Sequence, residues 1–192
     1  MALGAKHWPH RSAGRFGWEL LVIGVAAFGI AFLLRTFLFQ PFLVHGASME
    51  PTFADGEYLL IDEISYSFRS PERGEVVVFR FPQNESQFFI KRIIGLPGET
   101  VQIRNGVLWI VNSFSPAGMR LTESYSRSPD SSGETTITLG DGEYFVLGDN
   151  RAVSYDSRRW GPVPRRDIVG RVWVRAWPVN RARVFSAPAY RP

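Results

Sequence analysis

"TVQIRNGVLWIV", residues 100–111, decides how the chain is read. Two short runs of β-branched, aliphatic and aromatic residues, 100–103 and 107–111, flank Asn105-Gly106. An Asn-Gly pair between such runs is the strongest short-range signal for a tight β-hairpin, because both residues tolerate the positive φ that the turn demands. Working outward, the same signature recurs: "EYLLID" (57–62), "EVVVFRF" (75–81), "QFFIKRII" (87–94), "TTITL" (135–139), "EYFVLGD" (143–149) and "DIVGRVWVRAWPV" (167–179), separated by turn signals such as "LPGE". No internal repeat is visible. Residues 112–134 are rich in Ser, Pro and Gly and read as a loop-rich, exposed insertion. The expected fold is mainly β: an antiparallel, barrel-like domain over residues 41–192.

The chain has 192 residues, 45% hydrophobic and 14% aromatic, enough for one domain with a real core. It has no cysteine, which excludes a disulfide framework, cysteine-based zinc sites and a thiol nucleophile. The three histidines show no ligand spacing, so no metal is expected. The net charge of +4 comes from arginines spread along the chain and often beside Asp or Glu, which read as solvated surface; no nucleic-acid partner is expected.

The N-terminal region differs from the rest. Residues 20–34, "LLVIGVAAFGIAFLL", carry no charge, and the apolar run resumes after Arg35 as "TFLF". A helix over 18–40 would cross a bilayer core of ~30 Å if Arg35 snorkels to the far interface and Trp18 sits at the near one. Pro41 would end it. The flank before it carries Lys6, Arg11 and Arg15, which places residues 1–17 in the cytoplasm and residues 41–192 on the opposite side of the membrane. The competing reading is a cleaved signal peptide, but no small-x-small site follows directly in "RTFLFQPF", so a retained transmembrane anchor is expected.

Three stretches hold candidate chemistry. The chain has 22 Lys plus Arg, and only Lys6 and Lys91 are lysines. Lys91 lies in "FFIKRII"; in a strand, Phe89, Lys91 and Ile93 share one face and Arg92 points the other way as an ordinary cation. Burial between apolar neighbours lowers a lysine pKa, and a neutral amine can act as a general base where a guanidinium cannot. The strand alone favours the plainer reading, a lysine whose tip reaches water or pairs with a carboxylate. "VHGASMEPTF" (44–53) offers Ser48 between small residues and a Pro turn, although in isolation it is a loop with a serine. His45, three residues before Ser48, is the only histidine after the apolar segment, and sequence proximity does not place its ring on the hydroxyl. "LGDNRAVSYDSRRWGPV" (147–163) packs Asp149, Asn150, Ser154, Asp156 and Ser157 into one loop, dense enough to support a site and equally compatible with ordinary Asx turns.

Together, "GASMEPT" (46–52), "RGEVVVF" (73–79), "FIKRIIGLPGE" (89–99) and "GDNRAVSYDSRRWGPV" (148–163), in this order after an apolar N-terminal segment, resemble the bacterial type I signal peptidases, a family of membrane-anchored Ser/Lys proteases. The resemblance implies Ser48 as nucleophile, Lys91 as general base, Ser154 as the hydroxyl that orients the lysine amine, and Asp156 with Arg158 as a pair that shapes the site. It implies an oxyanion hole using the Ser48 backbone N–H. Some members add a hydroxyl two residues earlier; Gly46 stands there and supplies none. The implied substrates are preproteins cut after a small-x-small motif such as Ala-x-Ala. The implied partners are preprotein signal peptides and the lipid bilayer, with no cofactor and no metal, and the implied location is the bacterial plasma membrane. Two rivals are a soluble self-cleaving Ser/Lys repressor, which the apolar segment argues against, and a non-catalytic membrane-tethered peptide-binding β domain.

Overall fold

The computed structural model describes residues 13–37, 40–126, 133–188 and 190, with the side-chain surroundings of the first helix described for residues 17–29. The chain divides into two compact units, Met1–Leu38 and Phe39–Pro192.

In the first unit, helix α1 (Ala13–Phe37) contains the uncharged run. Trp18, Leu21, Ile23, Val25 and Phe28 are exposed along it. Among the described residues, no helix is long and apolar enough to cross a membrane. The helix is described as far as Phe37, residues 38–39 lie outside the described residues, and strand β1 spans Gln40–Leu43. Pro41 lies in that strand and pairs with Leu60.

The second unit is two antiparallel sheets. The larger contains β1, β2 (Tyr58–Asp62), β3 (Val76–Phe81), β4 (Asn84–Gly95), β9 (Glu143–Leu147), β10 (Val163–Pro164) and β11 (Ile168–Trp177), ordered β1-β2-β11-β3-β4-β9-β10, with β12 (Arg183–Val184) on β11. The smaller contains β5 (Thr100–Arg104), β6 (Val107–Asn112), β7 (Ser115–Arg120) and β8 (Thr135–Thr138), ordered β7-β6-β5-β8. Bulges interrupt β11 against both neighbours and β4 against β9; such bulges bend strands. Among the described residues β1 and β10 are the two ends of the larger sheet, so the strands form two sheets in place of a closed barrel.

The β5–β6 hairpin is built on Asn105 at φ 49° and Gly106 at φ 75°, with Arg104 opposite Val107. Residues of β3 alternate between two cores. Val76 and Val78 join Val44, Met49, Phe53, Leu59 and Ile90, whereas Val77 and Phe79 join Tyr66, Ile93, Tyr144 and Val146. A strand covered on both faces needs apolar residues throughout, which is why "VVVF" reads as a continuous run rather than an alternation. A third core unites the small sheet (Val101, Ile103, Leu108, Ile110) with Ile94, Phe145 and Leu147. The sheets can approach because Gly95 has no side chain: a Cβ there would overlap Val101 and lie 2.7 Å from Leu139.

The stretch expected to be loop contains a strand. β7 has weak strand formers, Ser, Pro, Ala and Gly, but β6 supplies its partner: Ile110 pairs with Met119, and the Leu121 N–H donates to Leu108 O at 2.9 Å. Pairing and the burial of Leu121 override local propensity here. Within that stretch, residues 127–132 lie outside the described residues.

Among the described residues, two short α-helices, α2 (Ser65–Phe68) and α3 (Ser157–Trp160), and two single 3-10 turns, Arg165–Asp167 and Val179–Arg181, complete the unit.

Candidate active site

Ser48 stands in a tight turn between β1 and β2. Glu50 N donates to Ala47 O at 3.2 Å and Phe53 N to Met49 O at 2.9 Å. Met49 and Phe53 are completely buried and pin the inner side of this turn in the core. The outer side is tied by Gly46, at φ +83°, whose N–H donates to Asp55 Oδ1 at 2.7 Å. Farther along, Arg175 Nη1 donates to Thr52 O at 2.9 Å. The hydroxyl of Ser48 is thereby held on a braced turn at the wall of a groove.

Lys91 reaches that hydroxyl from β4. It stands opposite Val77 of β3, with Phe89 and Ile93 on its own face. Its Nζ lies 2.9 Å from Ser48 Oγ and 2.9 Å from Ile90 O, and the residue is 5% exposed. Burial strips water from the ammonium and pulls the pKa down to about 8; the carboxylates of Asp156 and Asp149 oppose the shift without cancelling it. A substantial neutral fraction therefore exists near pH 8.

The loop 148–158 closes the other side. Asn150 N donates to Ser48 O at 3.0 Å, and its side-chain amide donates to Ala47 O at 3.2 Å. Gly148 makes the approach possible: a Cβ there would overlap Ser154 Oγ and lie 2.5 Å from Ser48 O. Asp156 caps α3 and accepts from Gly148 N at 3.1 Å, Arg158 Nε at 2.7 Å and Arg158 Nη2 at 2.9 Å. Arg158 Nη2 in turn donates to Arg151 O at 2.8 Å. The Asp156–Arg158 pair thus fastens the loop to itself rather than reaching Ser48.

Ser154 lies in the same loop, beside Gly148. Its Oγ is buried and, among the described residues, makes no hydrogen bond. The Lys91 amine is engaged by Ser48 Oγ and Ile90 O, and the Ser154 hydroxyl is pressed against Gly148. His45 lines the groove.

Arg92, read as an ordinary cation, is buried and forked onto Asp149, with Nε–Oδ1 at 2.8 Å and Nη2–Oδ2 at 2.6 Å. Thr52 Oγ1 donates to the same carboxylate at 2.5 Å. This seam connects the strand of Lys91, the turn of Ser48 and the loop of Asn150. The signal was available: both faces of the neighbouring strand are apolar, so a charge pointing away from Lys91 also enters the interior. Gly148 gave no comparable signal, because its role depends on a contact made across a long stretch of chain; Asn150 stood out only as one of several hydrogen-bonding residues in its loop, and its contact with Ser48 O depends on the fold.

The groove beside Ser48 and Lys91 has a volume of about 450 Å³ and is walled by Phe42, Ala47, Phe88, Ile90, Val153 and Tyr155. Val153, Tyr155 and Phe88 are markedly exposed. A braced hydroxyl touching a buried amine beside an open apolar groove is an arrangement that suits an activated nucleophile.

The sequence pattern of the family described as "Signal peptidase, peptidase S26" matches residues 17–177. The chain belongs to this family. A probable signal peptidase I-2 of a Synechocystis strain is 41% identical over 87% of this chain and 76% of its own length. Signal peptidase I of Leptolyngbya laminosa is 40% identical over 88% of this chain and 85% of its own. Signal peptidase IB of Staphylococcus aureus is 34% identical over 88% and 96%. A crystal structure of a signal peptidase I from Enterococcus faecalis covers 54% of this chain and 97% of its own at 35% identity, with a TM-score of 0.46. The S26 match extends across β1 to the end of β11, and so includes Ser48, Lys91 and the loop 148–158. As a member of the signal peptidase S26 family, the chain is a serine endopeptidase.

Proposed function

We propose that this chain removes signal peptides from exported preproteins at small-x-small sites such as Ala-x-Ala, through a Ser48/Lys91 dyad and an acyl-enzyme. The observation that carries the reading is the 2.9 Å approach of Lys91 Nζ to Ser48 Oγ in a setting that lowers the amine pKa.

An extended preprotein segment lies in the groove and pairs by main-chain hydrogen bonds with exposed backbone. Neutral Lys91 accepts the Ser48 proton as Oγ attacks the scissile carbonyl. The Ser48 backbone N–H donates to the developing oxyanion. The C–N bond breaks, Lys91 returns the proton to the departing amine, and the acyl-enzyme remains. Lys91 then takes a proton from water as it attacks the ester carbonyl, and returns it to Ser48 Oγ as the acyl C–O bond breaks, which releases the carboxylic acid product and restores the Ser48 hydroxyl and neutral Lys91. Asp156 and Arg158 shape the site by holding the 148–158 loop. The Ser154 hydroxyl, buried beside Gly148, is the group assigned to orient the Lys91 amine during turnover.

Residues 18–40 are assigned as a retained single-pass anchor in the bacterial plasma membrane, with residues 1–17 cytoplasmic and residues 41–192 outside. The uncharged run 20–34 within α1, and the basic flank before it, support this reading. An anchor keeps the site at the membrane where signal peptides reside and raises their effective concentration. The barrel-like expectation reduces to a strongly bulged pair of antiparallel sheets presenting the groove.

The reading is tested by incubating the full chain in detergent with a preprotein bearing an Ala-x-Ala site, beside Ser48→Ala and Lys91→Ala. Cleavage at that site by the unaltered chain and neither variant is expected. Undiminished cleavage by either variant removes the dyad.

A further inference from the structure

We propose that a second cavity, on the far side of the Ser48 turn, binds a phosphate-bearing anion. The cavity has a volume of about 540 Å³ and lies between Pro51-Thr52, Ser124-Tyr125 and the C-terminal segment 183–188. Its wall includes Arg92, Arg175, Arg181 and Arg183 and no carboxylate.

The charges do not balance. Arg92 is neutralised by Asp149 behind it. Arg175 and Arg181 share one buried carboxylate, Glu57, at 3.0 and 2.8 Å. Arg183 has no carboxylate partner among the described residues; its guanidinium lies 5.6 Å from the centre of the Phe185 ring. The nearest carboxylate of the Ser124-Tyr125 loop, Glu123, is taken by Arg151 and by the Tyr125 hydroxyl. Four guanidinium groups therefore face two carboxylates, a surplus of two positive charges on one concave wall.

Geometry selects the ligand class. Arg92 and Arg175 are buried with donors engaged by Asp149, Glu57 and backbone carbonyls, while Arg181 is about half exposed and Arg183 exposed, so the two buried groups contribute field and the two outer forks are open to a ligand. Planar guanidinium forks match phosphate oxygens, and phosphate at neutral pH carries roughly the charge that the wall lacks. Ser124 and Ser186 add hydroxyls at the rim. Inorganic phosphate and an anionic lipid headgroup, a phosphodiester that carries a single negative charge, offer phosphate oxygens from two sources.

The test is the thermal midpoint of the full chain in non-ionic detergent. One arm adds inorganic phosphate against chloride at equal ionic strength; the other dopes the micelles with phosphatidylglycerol against phosphatidylcholine. Phosphate at about ten times its dissociation constant should raise the midpoint by about 3–6 °C. Arg183→Gln, which breaks no ion pair among the described residues, should abolish the rise. Arg104→Gln, an exposed arginine of the small sheet, should keep it. A rise in both arms, or only with inorganic phosphate, identifies phosphate itself as sufficient; a rise only with phosphatidylglycerol identifies the lipid headgroup. No rise in either arm, or an equal rise in Arg183→Gln, overturns the proposal.

Discussion

Arg92 and Asp149 meet as a buried two-pronged ion pair, at 2.8 and 2.6 Å, one residue along the chain from Lys91 and one from Asn150. The pair is the fixed point from which both sides of the site are measured. Removing one partner leaves the other charged and dry, which costs about 3–5 kcal/mol. Asp149→Ala should therefore lower the denaturant midpoint strongly, whereas the double replacement Arg92→Met with Asp149→Leu should cost much less. Equal losses in the single and double variants would show that the pairing is not what the seam contributes.

Gly148 is expected to tolerate no side chain. Gly148→Ala places a Cβ against Ser154 Oγ and Ser48 O, and the second of these is backbone and cannot swing aside. The variant should lose about 1–3 kcal/mol of stability, as overpacked sites do, and more activity than its stability loss explains. Adding Ser154→Ala relieves only the side-chain clash, so activity should recover in part. Initial rates and thermal midpoints on the same samples measure both effects.

Ser154 separates stability from turnover. Its hydroxyl is buried without a partner among the described residues, so Ser154→Ala should be neutral or stabilising by about 1 kcal/mol. If the hydroxyl engages the lysine amine only as the reaction proceeds, the same variant should lose kcat and shift the pH profile. A stable variant with unchanged kcat and pH profile would remove the orienting role.

Lys91 has a pH signature in folding as well as catalysis. Its pKa falls from 10.5 to about 8 on burial. Between these values the unfolded chain binds the proton and the folded chain does not, so this residue makes stability rise with pH from about 8 to 10.5, and its full penalty stands below pH 8. Lys91→Met should remove that slope and stabilise the chain at pH 6–7. Urea unfolding at pH 6.5 and 10.5 checks the sign; parallel pH dependence in both proteins would contradict it.

The strands were legible because their residues answer to local rules. "TVQIRNGVLWIV" forms its hairpin on Asn105 and Gly106, and "EVVVFRF" is apolar throughout because both of its faces are covered. Ser48 and Lys91 could be selected from their residue types and company, but their 2.9 Å approach depends on a fold that brings together positions 43 apart in sequence. β7 was illegible for the opposite reason: "SPAGMR" has no strand propensity of its own and is extended because β6 pairs with it. Arg92 was misread through its charge, which sequence patterns assign to solvent and which the fold instead cancels with Asp149.

The most direct measurement is the pH dependence of preprotein cleavage by the full chain and by Lys91→Arg. The unaltered chain should lose activity on the acid side with an apparent pKa near 8, as protonation removes the base. Lys91→Arg keeps the charge and cannot lose its proton, so it should be inactive throughout. Substantial cleavage by Lys91→Arg, or a rate in the unaltered chain that does not fall between pH 9 and pH 6, would contradict Lys91 as the base.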